Sequence, residues 1–570
     1  MALGPDLRKS ASQTADEGEI VKAAAAALRD KQPLRNARLR QAAQALHDKR
    51  LDEADRLLSE YLEQRPHDAM ALHLLAETAL KLGRKERAEA LLARCVAESP
   101  DYDAGRFTHA STLYLMNRLD ASLAELEHLL ARDPQNVLYL DMKAAVLTAM
   151  ERHRDSMLCR QQLAEAHANS PELWVKYGKA LRSIGERQAA IDAFRHAIAL
   201  DNSCGSAWWS LADMKTWRFS DAEISVVESA IRTAGTNDRV YLQFALGKAY
   251  ADQQNYAKAF DNYARANAMK RLTITYDSDW LSMNVANCKA LFTRAFFEAR
   301  QGTGCDSAEP IFIVGMQRAG STLVEQILGS HSQIEATAEL PDITLMAEHL
   351  GETLAREKGT VYPDVLTTID CAALQKLGQD YLETTRFRRR LGRIFFIDKN
   401  PYNFLHIVLI HLILPHAKVI DVRRHPLACC WSNFCAHFET GALFAYRFNE
   451  LGRAYSDYVE LMAHFDAVLP SRVHRVIYEN LIADPEREIR RLLEHLKLPF
   501  ERECLAFHAN TRAMNSVSSE QVRQPIYNQS VDQWRNYEPW LGPLKSALGP
   551  VLDTWSNALV QSTAARSSDR

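Results

Sequence analysis

The sequence predicts an α plus α/β chain: an N-terminal helical solenoid, then a P-loop-like α/β domain with a central parallel sheet. Three observations carry this. Marker residues recur every 34 positions in the first half, at Pro66, Pro100 and Pro134 and again at Trp174 and Trp208. After Pro310 the pattern changes to short β-branched runs separated by helical stretches, the mark of a parallel sheet with helices on both faces. The first of those runs opens PIFIVGMQRAGSTLVEQIL, Pro310 to Leu328, where a strand, a turn with a glycine at each end and an amphipathic helix follow one another. Backbone amides of such a turn and the positive end of the helix dipole face one spot, which cradles phosphate.

Taken in order, residues 1–35 read as irregular and residues 36–270 as the repeat array. In one unit Trp174, Tyr177, Gly178, Leu181, Ala190, Phe194 and Ala197 alternate large and small. In the unit from Ala69, Ala76 and Ala88 are the small residues and Pro100 closes it; Gly247, Tyr250, Ala259, Tyr263 and Ala266 repeat the large and small places in the last. Small residues recur because paired helices must approach closely, and large ones fill the groove between them. The 37-residue step from Pro134 to Pro171 reads as a small insertion, and the unit after Trp208 loses the pattern past Ala212. This period resembles that of tetratricopeptide repeats. The resemblance implies a superhelix whose concave face binds a protein or peptide. Residues 271–308 form a junction that starts helical, Trp280 to Arg300, and ends in the linker QGTGCDSAE. Residues 309–557 form the α/β domain, with strands expected at Ile311–Val314, Arg393–Ile397, Lys418–Val422 and Arg475–Tyr478; 558–570 read as a loose tail.

Composition bounds the function. The 570 residues are 47% hydrophobic and 25% charged, an ordinary globular balance, and the net charge of −3 argues against general nucleic-acid or anionic-membrane binding. Ten cysteines lack paired metal-ligand spacing, and Cys429, Cys430 and Cys435 sit in an apolar segment, so reduced structural thiols are expected. The N-terminus has no apolar signal core, and the longest apolar run, Phe404 to Leu414, is too short to span a bilayer. A cytoplasmic location, no membrane and no metal are the expectations; oligomeric state is not readable.

The loop has the P-loop spacing with one change: Ser321 stands where the lysine would be, and Arg318 is its only cation. It suits an anion better than the γ-phosphate of ATP. Four later stretches belong with it. Glu339, just ahead of Pro341, can face the cleft as a general base. Lys399 lies at the C-terminal end of a strand, the edge where open α/β sheets bind ligands. Arg424 at another strand end and Ser432 eight residues on can grip one phosphate, and Asp421 can alternatively stand in for a Walker B carboxylate. Tyr478, Ser518, Arg523 and Arg535 follow, and the two arginines can close over an anion.

With these residues in view, 310 to about 540 resembles the sulfotransferases that use 3′-phosphoadenosine 5′-phosphosulfate, the protein-tyrosine branch most of all. The resemblance implies that Gln317, Arg318, Ala319, Gly320, Ser321 and Thr322 hold the 5′-phosphosulfate, and that Arg424, Pro426 and Ser432 hold the 3′-phosphate. It implies that Glu339 is the base, Lys399 the catalytic lysine, and Tyr478, Glu479 and Leu481 the Y-E-x-L element. Two positions depart: a basic residue of the family falls on Ala436, and a late lysine falls on Gln533, with Arg535 as stand-in. The implied acceptor is a hydroxyl, a protein tyrosine first, with small phenols, sugars and lipid hydroxyls as the other candidates; the basic run Arg386 to Arg393 either attracts acidic residues around such a tyrosine or is a solvated helix end. A P-loop kinase or nucleotidase, and a repeat scaffold with an inactive second half, are the alternatives.

Overall fold

The computed structural model of the chain describes residues 36–214, 217–358, 362–438, 441–510, 522 and 531–556, and the side chains of all of these except 352–358. The expectations for 1–35 and 558–570, and those for Ser518 and Arg523, fall outside the described residues. The chain divides into two compact units, one of residues 13–181 and one that includes 182–570.

In the first unit helices follow in pairs: Ala37–His47 with Leu51–Gln64, Ala69–Lys81 with Lys85–Glu98, Asp103–Leu115 with Leu119–Arg132, and Val137–Ala149 with His153–Ala166. Side chains of Asn36, Asp68 and Asn136 cap the first helix of three pairs. Between the two helices of each pair one residue takes a left-handed conformation: Lys49, Gly83, Asn117 and Glu151. These lie 34 apart, and only one is glycine. Ala76 and Ala88, the expected small residues, are fully buried. The expected insertion does not exist. Helices start at Ala69, Asp103, Val137, Pro171 and Gly205, each 34 residues after the last. Pro134 lies in a turn, whereas Pro171 is the first residue of its helix, a position that tolerates proline. The proline moved within the unit, and the unit kept its length.

The same unit buries two titratable groups on the helix Ala69–Lys81. Burial pushes His73 down to about 3 and Glu77 up to about 7, with Lys81 pulling Glu77 the other way. Their 3.7 Å approach therefore joins a neutral imidazole to a carboxyl group and is no ion pair near neutrality.

In the second unit the pair Gly205–Asp213 and Asp221–Thr233 has a first helix of only nine residues, which is where the repeat pattern fades. Thr236–Asp252 and Tyr256–Arg271 form the last pair, and Ser278–Leu291 follows. A sheet of five parallel strands comes next: β1 (Pro310–Gly315), β2 (Ile334–Ala336), β3 (Phe395–Lys399), β4 (Lys418–Arg423) and β5 (Val473–Ile477), in the order β2-β3-β1-β4-β5. All six residues of β1 are buried, as a central strand requires. The three-residue β2 carries too little pattern to be read from sequence. It pairs Ile334 with Phe395, and Arg393, expected to begin β3, instead donates to the carbonyls of His331 (2.8 Å) and Ile334 (2.7 Å). Tyr478, expected in the last strand, begins the helix Tyr478–Ala483.

Register aligns the strand ends. Ile313 lies beside Lys399, Val314 beside Asp421, Gly315 beside Val422, and Arg423 beside Ile477. The segments after all five strands thus leave from one edge of the sheet. Three arginines of the run Arg386 to Arg393 are tied into the fold, while Arg386 and Arg390 are exposed. Arg388 is buried against Asp342 (2.7 Å), Arg389 pairs with Glu309 over the Phe396 ring, and Arg393 is tied as above. Among the described residues no helix is long and apolar enough to cross a membrane.

Candidate active site

The loop between β1 and the helix Ser321–Leu328 needs left-handed backbone at three places. Gly315 has φ +143°, and a Cβ there would lie 2.4 Å from the Val422 carbonyl oxygen. Gly320 has φ +106° and starts the helix with no side-chain cap, and a helix N-terminus of this kind suits an anion. Arg318, which is not a glycine, has φ +64°, a conformation that persists only where surroundings enforce it.

The surroundings do enforce it. Arg424 Nη1 donates to the Arg318 carbonyl at 3.2 Å, and Arg318 Nε donates to Ser432 Oγ at 3.1 Å. The Gln317 carbonyl accepts from Asn433 Nδ2 at 2.7 Å and from the Cys429 thiol at 3.3 Å. Ser432, Asn433 and Cys429 share the helix Pro426–Phe434, begun by a proline at its first position. Burial keeps the Cys429 thiol protonated by pushing its pKa up to about 12, so it donates and does not react.

Arg424 is held on three sides. Its guanidinium lies 4.8 Å over the Tyr478 ring, and its carbonyl accepts from Tyr455 Oη at 2.6 Å. The next residue, His425, donates its N–H to Glu479 Oε1 at 3.0 Å and stacks on Trp534 at 5.1 Å and 8°. Burial keeps the His425 imidazole below its ordinary pKa, and Arg535 and Arg424 add to this; it stays neutral at pH 7. Arg535 itself is exposed, lies over Trp534 and donates to Asp532 at 2.8 Å. Its side chain is held by Asp532 and the Trp534 ring.

On the other side of β1, Lys399 ends β3 almost fully buried. Its Nζ is ion-paired with Glu339 Oε1 and lies 3.8 Å from Glu325 Oε2. Flanking bonds fix the Glu339 backbone: Lys399 N–H donates to Ala338 (3.3 Å), and Asn400 Nδ2 donates to Leu340 (3.1 Å). Glu325, only 3% exposed, was not foreseen. The signal available was a carboxylate one helical turn past Ser321 amid apolar neighbours. Asn433, also missed, has the signal of an amide inside an apolar helix.

Asp421 is not a Walker B carboxylate. It is fully buried and accepts from Arg423 Nη2 (2.9 Å), Arg475 Nε (2.9 Å) and the Tyr458 hydroxyl. Burial raises its pKa, but Arg423 and Arg475 outweigh this and hold it below the usual carboxylate range. Its oxygens are consumed inside the sheet.

Of the expected site residues, Arg318, Ala319, Gly320, Ser321 and Thr322 form the loop, Arg424, Ser432 and Tyr478 lie against it, and Lys399 and Glu339 pair beside it. Residues 310–502 match the family model described as the sulfotransferase family, and 45–104 and 171–204 match tetratricopeptide repeat models. The chain thus carries tetratricopeptide repeats ahead of a C-terminal sulfotransferase-family domain.

Of three similar proteins, two are named sulfotransferases. An uncharacterized protein of Aquifex aeolicus (strain VF5) is 29% identical over 87% of this chain and 67% of its own. Omega-hydroxy-beta-dihydromenaquinone-9 sulfotransferase Stf3 of Mycobacterium tuberculosis (strain CDC 1551 / Oshkosh) is 32% identical over 30% of this chain and 48% of its own. Protein-tyrosine sulfotransferase 1 of Danio rerio is 26% identical over 39% of this chain and 65% of its own. The chain therefore spans about two thirds of the first and third relatives and about half of the second.

Proposed function

We propose that residues 309–557 transfer the sulfuryl group of 3′-phosphoadenosine 5′-phosphosulfate to an acceptor hydroxyl. One observation carries the reading: cationic and hydroxyl groups from four strand ends flank one glycine-bounded loop in two sets. Arg424, Ser432 and Tyr478, beyond β4 and β5, suit the ribose 3′-phosphate. Lys399 and Glu339, beyond β3 and β2, suit the sulfuryl group. Arg318 and the amides of Gly320, Ser321 and Thr322 lie between the sets and suit the 5′-phosphosulfate. Ser321 in place of a P-loop lysine and the buried, committed Asp421 both weigh against a kinase.

In the proposed reaction the acceptor oxygen attacks sulfur in line with the bond to the leaving phosphate oxygen. The acceptor proton passes to Glu339. The S–O bond breaks, and its electron pair stays on the phosphate of the leaving 3′,5′-bisphosphate. Lys399 and Arg318 stabilise that charge, so no metal enters the scheme. The ion pair of Lys399 with Glu339 must open first, because a carboxylate held by an ammonium is a poor base. Donor entry offers Lys399 another anion and frees Glu339.

The acceptor we propose is a tyrosine of a protein recruited by the repeats, in a cytoplasmic setting. The likeness to a tyrosine sulfotransferase and the presence of a protein-binding type of repeat support it. The test is incubation of the purified chain with lysate and a radiosulfur-labelled donor. Label on protein tyrosine is the expected result. Label in the lipid fraction would point to a hydroxylated lipid acceptor instead, and no labelled species at all would refute transfer.

A further inference from the structure

We infer that the last helix pair of the repeat array is a positioning element of the donor site, and that it acts through Phe260. The inference rests on the reading of Ser432 as a donor ligand. The helix Pro426–Phe434 has two working faces. Cys429, Ser432 and Asn433 fall at i, i+3 and i+4, and they meet the loop at Gln317 and Arg318. Trp431 and Phe434, also three apart, meet the helix Tyr256–Arg271 instead.

That second contact is extensive. The Phe260 ring lies close to parallel with Trp431 (6.1 Å, 15°), Phe434 (6.5 Å, 22°) and Trp540 (5.4 Å, 16°). Tyr263 meets Trp431 edge-on at 6.0 Å. Asn267, buried, donates to the Phe434 carbonyl at 2.8 Å. Arg271 forks onto Glu450 at 2.9 and 3.0 Å, at the start of the helix Phe448–Val468.

The residues held by the repeat and those that hold the loop thus alternate along one nine-residue helix. A hydrogen bond of 3.1 Å is lost within about half an ångström of extra separation, so a small shift of this helix releases Arg318 from Ser432. Ala436 fits the same picture. It is buried, and the next residue, His437, lies under Tyr241 (4.4 Å) and Phe244 (5.5 Å) of the helix Thr236–Asp252. The repeat pair occupies the ground beside the position where the resemblance calls for a cation.

The test uses the full chain, calorimetric titration with adenosine 3′,5′-bisphosphate, and initial rates against donor concentration. Phe260→Leu removes the stacked ring; its Kd for the bisphosphate and its KM for the donor are expected to rise together by about tenfold, with kcat changed by less than about twofold. Phe260→Tyr keeps the ring and is expected to restore the wild-type Kd. Asn267→Ala, a separate contact to the same helix, is expected to move Kd in the same direction. Val227→Ala, in the core of the helix Asp221–Thr233 away from this contact, is expected to lower the melting temperature with Kd unchanged. Unchanged Kd and KM in Phe260→Leu, or loss of activity only in proportion to unfolded protein, would overturn the inference. Failure of the unsubstituted chain to bind the bisphosphate would instead remove the donor reading beneath it.

Discussion

Gly320→Ala probes the loop with a single methyl group. The residue sits at φ +106°, and an added Cβ would lie 2.5 Å from Tyr478 Cδ2 and 3.1 Å from Cε2. The left-handed backbone costs a non-glycine residue about 1–2 kcal/mol. The clash must then be relieved by the partly buried Tyr478 ring, whose atoms are the nearest to the added methyl group. Turning that ring withdraws it from the Arg424 guanidinium at 4.8 Å, a contact of about 1 kcal/mol. Arg424 also holds the Arg318 carbonyl, so the disturbance reaches both arginines proposed to bind phosphate. A total of about 2–3 kcal/mol corresponds to about 30- to 150-fold in affinity if it falls on binding. Calorimetry with adenosine 3′,5′-bisphosphate and a parallel thermal melt separate binding from folding. The variant is expected to stay folded and to lose donor affinity. Gly320→Ala combined with Tyr478→Ala removes the clash and should lose less than the two changes summed. Wild-type affinity in Gly320→Ala would refute the assignment of phosphate to this loop.

Glu339→Gln should lower kcat about 10²–10³-fold while donor Kd stays near that of the wild type; loss of donor binding would mean that the side chain is structural. Lys399→Ala should lower kcat comparably and also destabilise the fold, because Glu325 remains buried beside the gap; full turnover in this variant would end its catalytic assignment. Glu77 has a folded pKa of about 7 against an ordinary 4.5, so the folded state binds more protons than the unfolded state between these values. Stability from this group is therefore full below about pH 4.5 and is lost as pH rises to 7, by about 3 kcal/mol in all. Glu77→Gln should flatten that slope in melting temperature against pH, and an unchanged slope would show the group is not the source.

The elements with strong local chemistry were legible. β1 announces itself by an unbroken apolar run before a glycine turn, and the repeat array by spacing that side-chain packing enforces. What was misread depends on contacts distant in sequence. Arg388 and Arg393 look like surface charge until Asp342 and the β2 carbonyls come beside them. Asp421 looks free until Arg475, 54 residues later, pairs with it. Pro171 suggested an insertion because a proline fits both a turn and a first helical turn. The left-handed residues Lys49, Asn117 and Glu151 were invisible because the tight helix–helix turn, not residue type, imposes their backbone. The candidate site was legible in its charges and not in its tethers: Asn433 and Cys429 act on the Gln317 carbonyl from over a hundred residues away.

The most direct test compares two ligands that differ only at the ribose 3′ position. Adenosine 3′,5′-bisphosphate should bind at least about 100-fold more tightly than adenosine 5′-monophosphate, since a charge-assisted grip by Arg424 and Ser432 is added. Arg424→Ala should close most of that gap. Equal affinity for the two nucleotides, or tighter binding of ATP than of the bisphosphate, would contradict the account.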